Sequence, residues 1–105
     1  MQFAKQLRQR VMSGEITSSV RIWKQPRVKV GNHYALGSGH VIVDRLSEID
    51  FDDITPRLAR ETGFNGVADL LKTARHGKGE KVYLVDFHYE ANLENENAQA
   101  AEHRS

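Results

Sequence analysis

The segment His40–Leu46 places the tightest constraint on what this chain can fold into. Val41, Ile42 and Val43 follow one another there. Successive side chains of a strand point to opposite faces, so these three put apolar groups on both sides of a sheet. A strand of that kind has both faces covered, which suits a closed or packed sheet. The segment Glu80–Tyr89 adds the strongest alternation. Val82 and Leu84 fall on one face, with Tyr83, Val85, Phe87 and Tyr89 on the other.

The remaining elements follow from shorter signals. Phe3, Leu7 and Val11 recur at four-residue spacing, predicting a helix over about residues 3–13 that Gly14 stops. Thr17–Trp23 alternates: Val20 and Ile22 point one way, and Ser19, Arg21 and Trp23 the other. Gln25-Pro26 breaks this run, and Arg27–Val30 is expected to resume it. Gly31-Asn32 marks a turn, His33–Leu36 a second strand, and Gly37-Ser38-Gly39 the turn into His40–Leu46. Thr55-Pro56 fits an N-cap with proline at the first helical position, and Gly63 fits the left-handed cap that ends that helix. Asn65 can cap the next helix, whose buried stripe is Val67, Leu70, Leu71 and Ala74 and which Gly77 ends. Helix, three strands, two helices and a strand in 105 residues favour a curled sheet or small barrel over a sandwich. The expected class is α+β.

Composition removes several functions. The chain has no cysteine, which excludes a disulfide framework, a thiolate metal site and a cysteine nucleophile. No apolar run approaches the ~20 residues of a membrane span, and MQFAKQLRQRV has no apolar core of a signal peptide. The expectation is a cytoplasmic protein with no membrane partner. From Glu90 onward four acids stand against Arg104 alone, so a net charge of +1 conceals a basic body and an acidic end. Residues 91–105 are expected to be a polar, disordered tail.

Three constellations carry candidate chemistry. Ser19 and Arg21 share a strand face with Trp23, and Ser18 adjoins them. A hydroxyl, a guanidinium and an indole in one row can meet a carbonyl edge, a phosphate and a base face. The run Ile16–Val43 contains no acid but holds Arg21, Lys24, Arg27 and Lys29, interleaved with Trp23, His33 and Tyr34. Single-stranded nucleic acid calls for this mixture, charge for its backbone and flat faces for its bases. A solvated basic face explains the same residues equally well. Lys72, Arg75, His76, Lys78 and Lys81 form the third group, the first three in the last turns of a helix, where cations offset the helix dipole; Lys5, Arg8, Lys72, Arg75 and Lys78 would form an electrostatic rim. No metal site is expected from the five histidines, none of them in a helical i,i+4 pair. Asp86 and His88 share a strand face, and Glu48–Asp53 reads as a solvated acidic loop.

Taken in order, these segments resemble the ASCH domain family, a PUA-like β-barrel, and more narrowly its small bacterial stand-alone members. The resemblance rests on MQFAKQLRQRV, the strand SVRIW, Val30-Gly31-Asn32, Glu61-Thr62-Gly63-Phe64, the stretch DLLKTARHGKGE and the closing strand Val82–Tyr89. It covers residues 1–90. It implies a barrel of about five or six short strands with flanking helices, a cleft between them, and a role in binding or processing RNA. One branch of the family hydrolyses acylated cytidine nucleosides through a lysine, a threonine and a glutamate. The lysine position falls on Ile16, the threonine position on Ser19, and the glutamate position on Thr62, with Glu61 adjacent. Without the lysine the hydroxyl lacks its natural base. Other members are magnesium-dependent ribonucleases, so magnesium is the one cofactor the resemblance allows.

The expectation is therefore a binding module for single-stranded RNA or a modified nucleotide. Arg21 grips the ligand, Ser18 and Ser19 hydrogen-bond it, Trp23 walls the pocket, and Lys24, Arg27 and Lys29 supply the field. The alternatives are a hydrolase on RNA or an acylated cytidine nucleoside, with Ser19 as nucleophile or orienting hydroxyl and Glu61 as base, and a protein-interaction module using Trp23 and the acidic tail.

Overall fold

The structure is a computed structural model that describes residues 1–74 and 79–91. The N-terminal apolar stripe forms as two pieces rather than one helix, a 3-10 turn over Lys5–Leu7 leading into α1, Arg8–Met12. Phe3, Leu7 and Val11 are all buried. So short a helix has little stability of its own in water and is held by this packing.

The sheet contains β1 (Ser18–Trp23), β2 (His33–Leu36), β3 (Gly39–Ile49) and β4 (Lys81–Glu90) in the order β1-β4-β3-β2, all antiparallel. The result is a small α+β fold with a curled, half-barrel sheet, four-stranded among the described residues rather than five- or six-stranded. Two differences from the sequence reading stand out, and the first bears on this count. Arg27–Val30 does not resume a strand: Val28 is buried while Val30 is exposed, and the Gly31 N–H donates to the Val43 carbonyl at 2.7 Å. β3 runs past Leu46 to Ile49 and absorbs Glu48. The rest of the acidic loop becomes a 3-10 turn, Phe51–Asp53, closed by reciprocal capping between Asp50 and Asp53.

Both faces of the sheet are covered. Against one face lie Phe3, Leu7, Val11 and Ile16, packed on Trp23, Val41, Val43, Tyr83, Val85 and Phe87. Against the other, α2 (Pro56–Glu61) and α3 (Val67–Ala74) bring Ala59, Leu70 and Ala74 onto Val20, Ile22 and Val82. The Thr55 hydroxyl caps α2 by accepting from the Leu58 N–H at 3.1 Å. At the start of α3 the Asn65 backbone N–H donates to the Asp69 carboxylate at 3.0 Å. The expected stop at Gly77 lies outside the described residues, as does all of the tail beyond residue 91.

Gly63 ends α2 at φ +103°, and a Cβ there would stand 2.6 Å from Leu7 Cδ2 and 2.8 Å from Ile16 Cδ1. Only glycine combines that backbone with that proximity. It lets the end of α2 approach the N-terminal segment beside β1, an edge strand, and so shapes one wall of a cleft.

Candidate functional site

The cleft forms around Arg21. Strand alternation turns Ser19 and Arg21 to the same side as Trp23, but that side is covered by the N-terminal segment rather than open to water. Arg21 is only 9 % exposed. Its Nε donates to Ser19 Oγ at 2.8 Å and its Nη2 to the Gln2 carbonyl at 2.6 Å. Its guanidinium carbon lies 5.1 Å from the centre of the Phe3 ring, within cation–π range. Among the described residues no carboxylate pairs with it. Burial pushes its pKa down to about 10, so the group stays charged at neutral pH. This guanidinium has given up water and gained two neutral acceptors and a ring face. Such a desolvated cation gains strongly from an anionic partner.

Two recesses flank it. The first, about 230 Å³, lies between the N-terminal segment, β1 and the α2–α3 region; Phe3, Ser18, Ser19, Arg21, Thr62 and Phe64 are among its walls, and Thr73 adds a further hydroxyl. The second, about 280 Å³, is lined by Met1, Gln2, Arg21, Trp23, Arg27 and Val28. Gln2 and Arg21 belong to both. Hydroxyls and two phenyl rings line the first, and two guanidiniums and an indole line the second. A flat polar ring fits the former chemistry and an oxyanion the latter.

The structure gathers some of the expected residues and disperses others. Ser18, Ser19, Arg21, Trp23 and Arg27 meet at the recesses. Trp23 is 4 % exposed and rests on Tyr83 with ring centres 5.8 Å apart, so it is a core residue with one edge on the cleft and not an open stacking platform. Lys24 and Lys29 are exposed beyond β1, and the Lys29 backbone N–H donates to the Tyr34 hydroxyl. Lys5, Arg8 and Lys72 are exposed without lining either recess, and Arg8 Nε donates to the Phe3 carbonyl. Arg75, His76 and Lys78 lie outside the described residues.

The hydrolytic set is not brought together. Glu61 turns away from the cleft to pair with Arg57 at 3.1 Å. Ile16 is a buried core side chain. The Ser19 hydroxyl is occupied as an acceptor from Arg21. Thr62 does line the first recess, but its hydroxyl lies 3.0 Å from the carbonyls of both Leu58 and Ala59 and donates back to its own helix. Among the described residues no group of three or more His, Asp or Glu side chains is disposed to hold a metal ion.

His88 takes partners other than Asp86. A bulge between Val43 and Arg45 leaves Asp44 unpaired in the ladder, and bulges re-aim side chains. The Asp44 carboxylate reaches His88 Nδ1 at 2.8 Å, while His88 Nε2 lies 3.3 Å from Glu90. The hydrogen bond to Asp44 raises the histidine pKa, and Glu90 adds to the effect.

Gln2, Phe3, Phe64 and Thr73 were not legible as site residues. Phe3 reads in sequence as one more apolar residue of a helical stripe, and nothing local reveals that its ring lies under a guanidinium carried by a strand. No helix among the described residues is long and apolar enough to cross a membrane. Compared with known proteins, the chain matches no family model, no curated protein and no solved structure.

Proposed function

We propose that this chain is a binding module of the PUA-like ASCH type that takes a nucleotide of single-stranded RNA or a modified nucleotide. One observation carries the reading: Arg21 is a buried, charged guanidinium with only neutral acceptors, set between a hydroxyl- and phenyl-lined recess and a basic one. The base enters the first recess and meets Ser18 and Thr73 beside Phe3 and Phe64. The phosphate lies against Arg21 and Arg27, with Lys24 and Lys29 supplying field along the departing strand. No comparable observation favours the hydrolase, whose Glu61 faces away and whose lysine position is the core residue Ile16.

The test is a salt titration of affinity for a fluorescent oligouridylate. Affinity should fall linearly on a log–log plot, with a slope of about −0.7 for each phosphate contact. Arg27→Ala should weaken binding and flatten that slope by about one contact. A salt-independent affinity, or one indifferent to Arg27→Ala and Arg21→Met alike, would remove the RNA reading.

A further inference from the structure

The two recesses share two wall residues, Arg21 and Gln2 of the N-terminal segment. Gln2 lines both, and its backbone carbonyl holds Arg21 Nη2 at 2.6 Å. Each recess alone, at about 230 and 280 Å³, falls below the ~300 Å³ at which small-molecule sites begin, whereas the two joined exceed it. From this geometry we infer that Arg21 is an oxyanion receptor whose resting acceptor is the Gln2 carbonyl, and that a phosphate- or carboxylate-bearing ligand binds by displacing Met1–Gln2 and uniting the recesses into one groove. The inference rests on reading the Arg21 cleft as a ligand site, and adds that the site is closed until the segment moves.

The chemistry favours exchange. A carbonyl oxygen carries a partial charge and one well-directed bond to the guanidinium. An oxyanion brings a full charge and can take two parallel N–H donors of the same fork. Ser19 holds Nε and fixes the plane of the guanidinium, so the donor Gln2 vacates stays aimed into the groove. Phe3 is buried under the guanidinium and anchors the chain just after the moving part. Displacement therefore stops before Phe3, and the packing of Phe3 and the residues after it is kept. Gln2 is exposed and Met1 half-buried against the core cluster, so the apolar cost of displacement is confined to Met1.

The experiment uses the full chain, inorganic phosphate as the probe of the receptor and the oligouridylate as the probe of the nucleic-acid reading. Backbone ¹⁵N relaxation at Gln2 and Phe3 is recorded with and without saturating phosphate. The order parameter of Gln2 should fall from the rigid range, about 0.85, to below about 0.6, while that of Phe3 stays rigid. Gln2→Gly, which makes the undocked segment more favourable entropically, should tighten phosphate binding about two- to fivefold. Phosphate binding that leaves Gln2 ordered, a Gln2→Gly variant with unchanged or weaker phosphate affinity, or no phosphate binding by either protein would each overturn the inference. If phosphate behaves as expected and oligouridylate does not bind, the displaceable segment stands and the RNA reading falls.

Discussion

Replacing Arg21 by methionine separates a ligand-binding role from a structural one. A pKa pushed down to about 10 by burial means that the site disfavours the charged form by about 3 kcal/mol. Methionine removes that charge while keeping an unbranched stem against Phe3. It also removes the bonds to Ser19 Oγ and the Gln2 carbonyl, each worth about 1.5–3 kcal/mol for a charged donor. The gain offsets at least half of the loss, so Arg21→Met should destabilise by no more than about 3 kcal/mol. In urea this is a shifted midpoint with an unchanged m-value. Arg21→Ala lacks the stem, leaves space beside Phe3 and should be the less stable of the two. Oligouridylate affinity, followed by fluorescence anisotropy on fully folded protein, should fall at least tenfold in both. An Arg21→Met protein destabilised by more than about 4 kcal/mol that still binds with native affinity would refute the argument. It would mean that the guanidinium holds the N-terminal segment in place and takes no ligand.

Three further expectations concern the scaffold. Thr55→Ala removes the cap on Leu58 N–H and should cost about 1 kcal/mol in urea unfolding. Gly63→Ala places a methyl 2.6 Å from Leu7 Cδ2 at φ +103° and should destabilise by about 2 kcal/mol or more while altering binding, because α2 and the N-terminal segment must part. His88, with its folded pKa raised chiefly by Asp44, contributes stability that is fully present below its unfolded pKa of about 6.5 and is lost as pH rises through the higher folded value. His88→Gln should abolish this alkaline-side loss in urea midpoints measured from pH 5 to 9. The effect should be small and weakened by salt, since the pair is exposed.

Much of the architecture was legible because it is local. Four-residue spacing placed Phe3, Leu7 and Val11 on one buried face even though the helix divides into a 3-10 turn and α1. Threonine followed by proline marked the start of α2, and Gly63 its end, because capping and positive φ are decided by the nearest few residues. Two-residue alternation sorted Val82 and Leu84 from Tyr83, Val85 and Phe87. The fate of Arg27–Val30 was not legible, since whether a β-prone segment joins a ladder depends on which strand edge is free beside it. The end of β3 escaped for a related reason. Ser47, Glu48 and Ile49 find partners on β4, and pairing extends a strand into residues whose own preferences are neutral.

The sequence by itself determined that Ser19, Arg21 and Trp23 share one side of a strand, because the alternation of side chains is a property of extended backbone. It also determined that this row is basic and free of nearby acids. Only the tertiary structure decided what that row faces. Phe3 and Gln2 arrive from the start of the chain, and the end of α2 comes close through Gly63. Together they turn a surface cation into a buried one with neutral partners. The same packing sends Glu61 outward to Arg57 while Thr62, its neighbour, faces in, because adjacent residues of a helix lie about 100° apart around its axis and only contacts distant in sequence choose which of them meets the cleft.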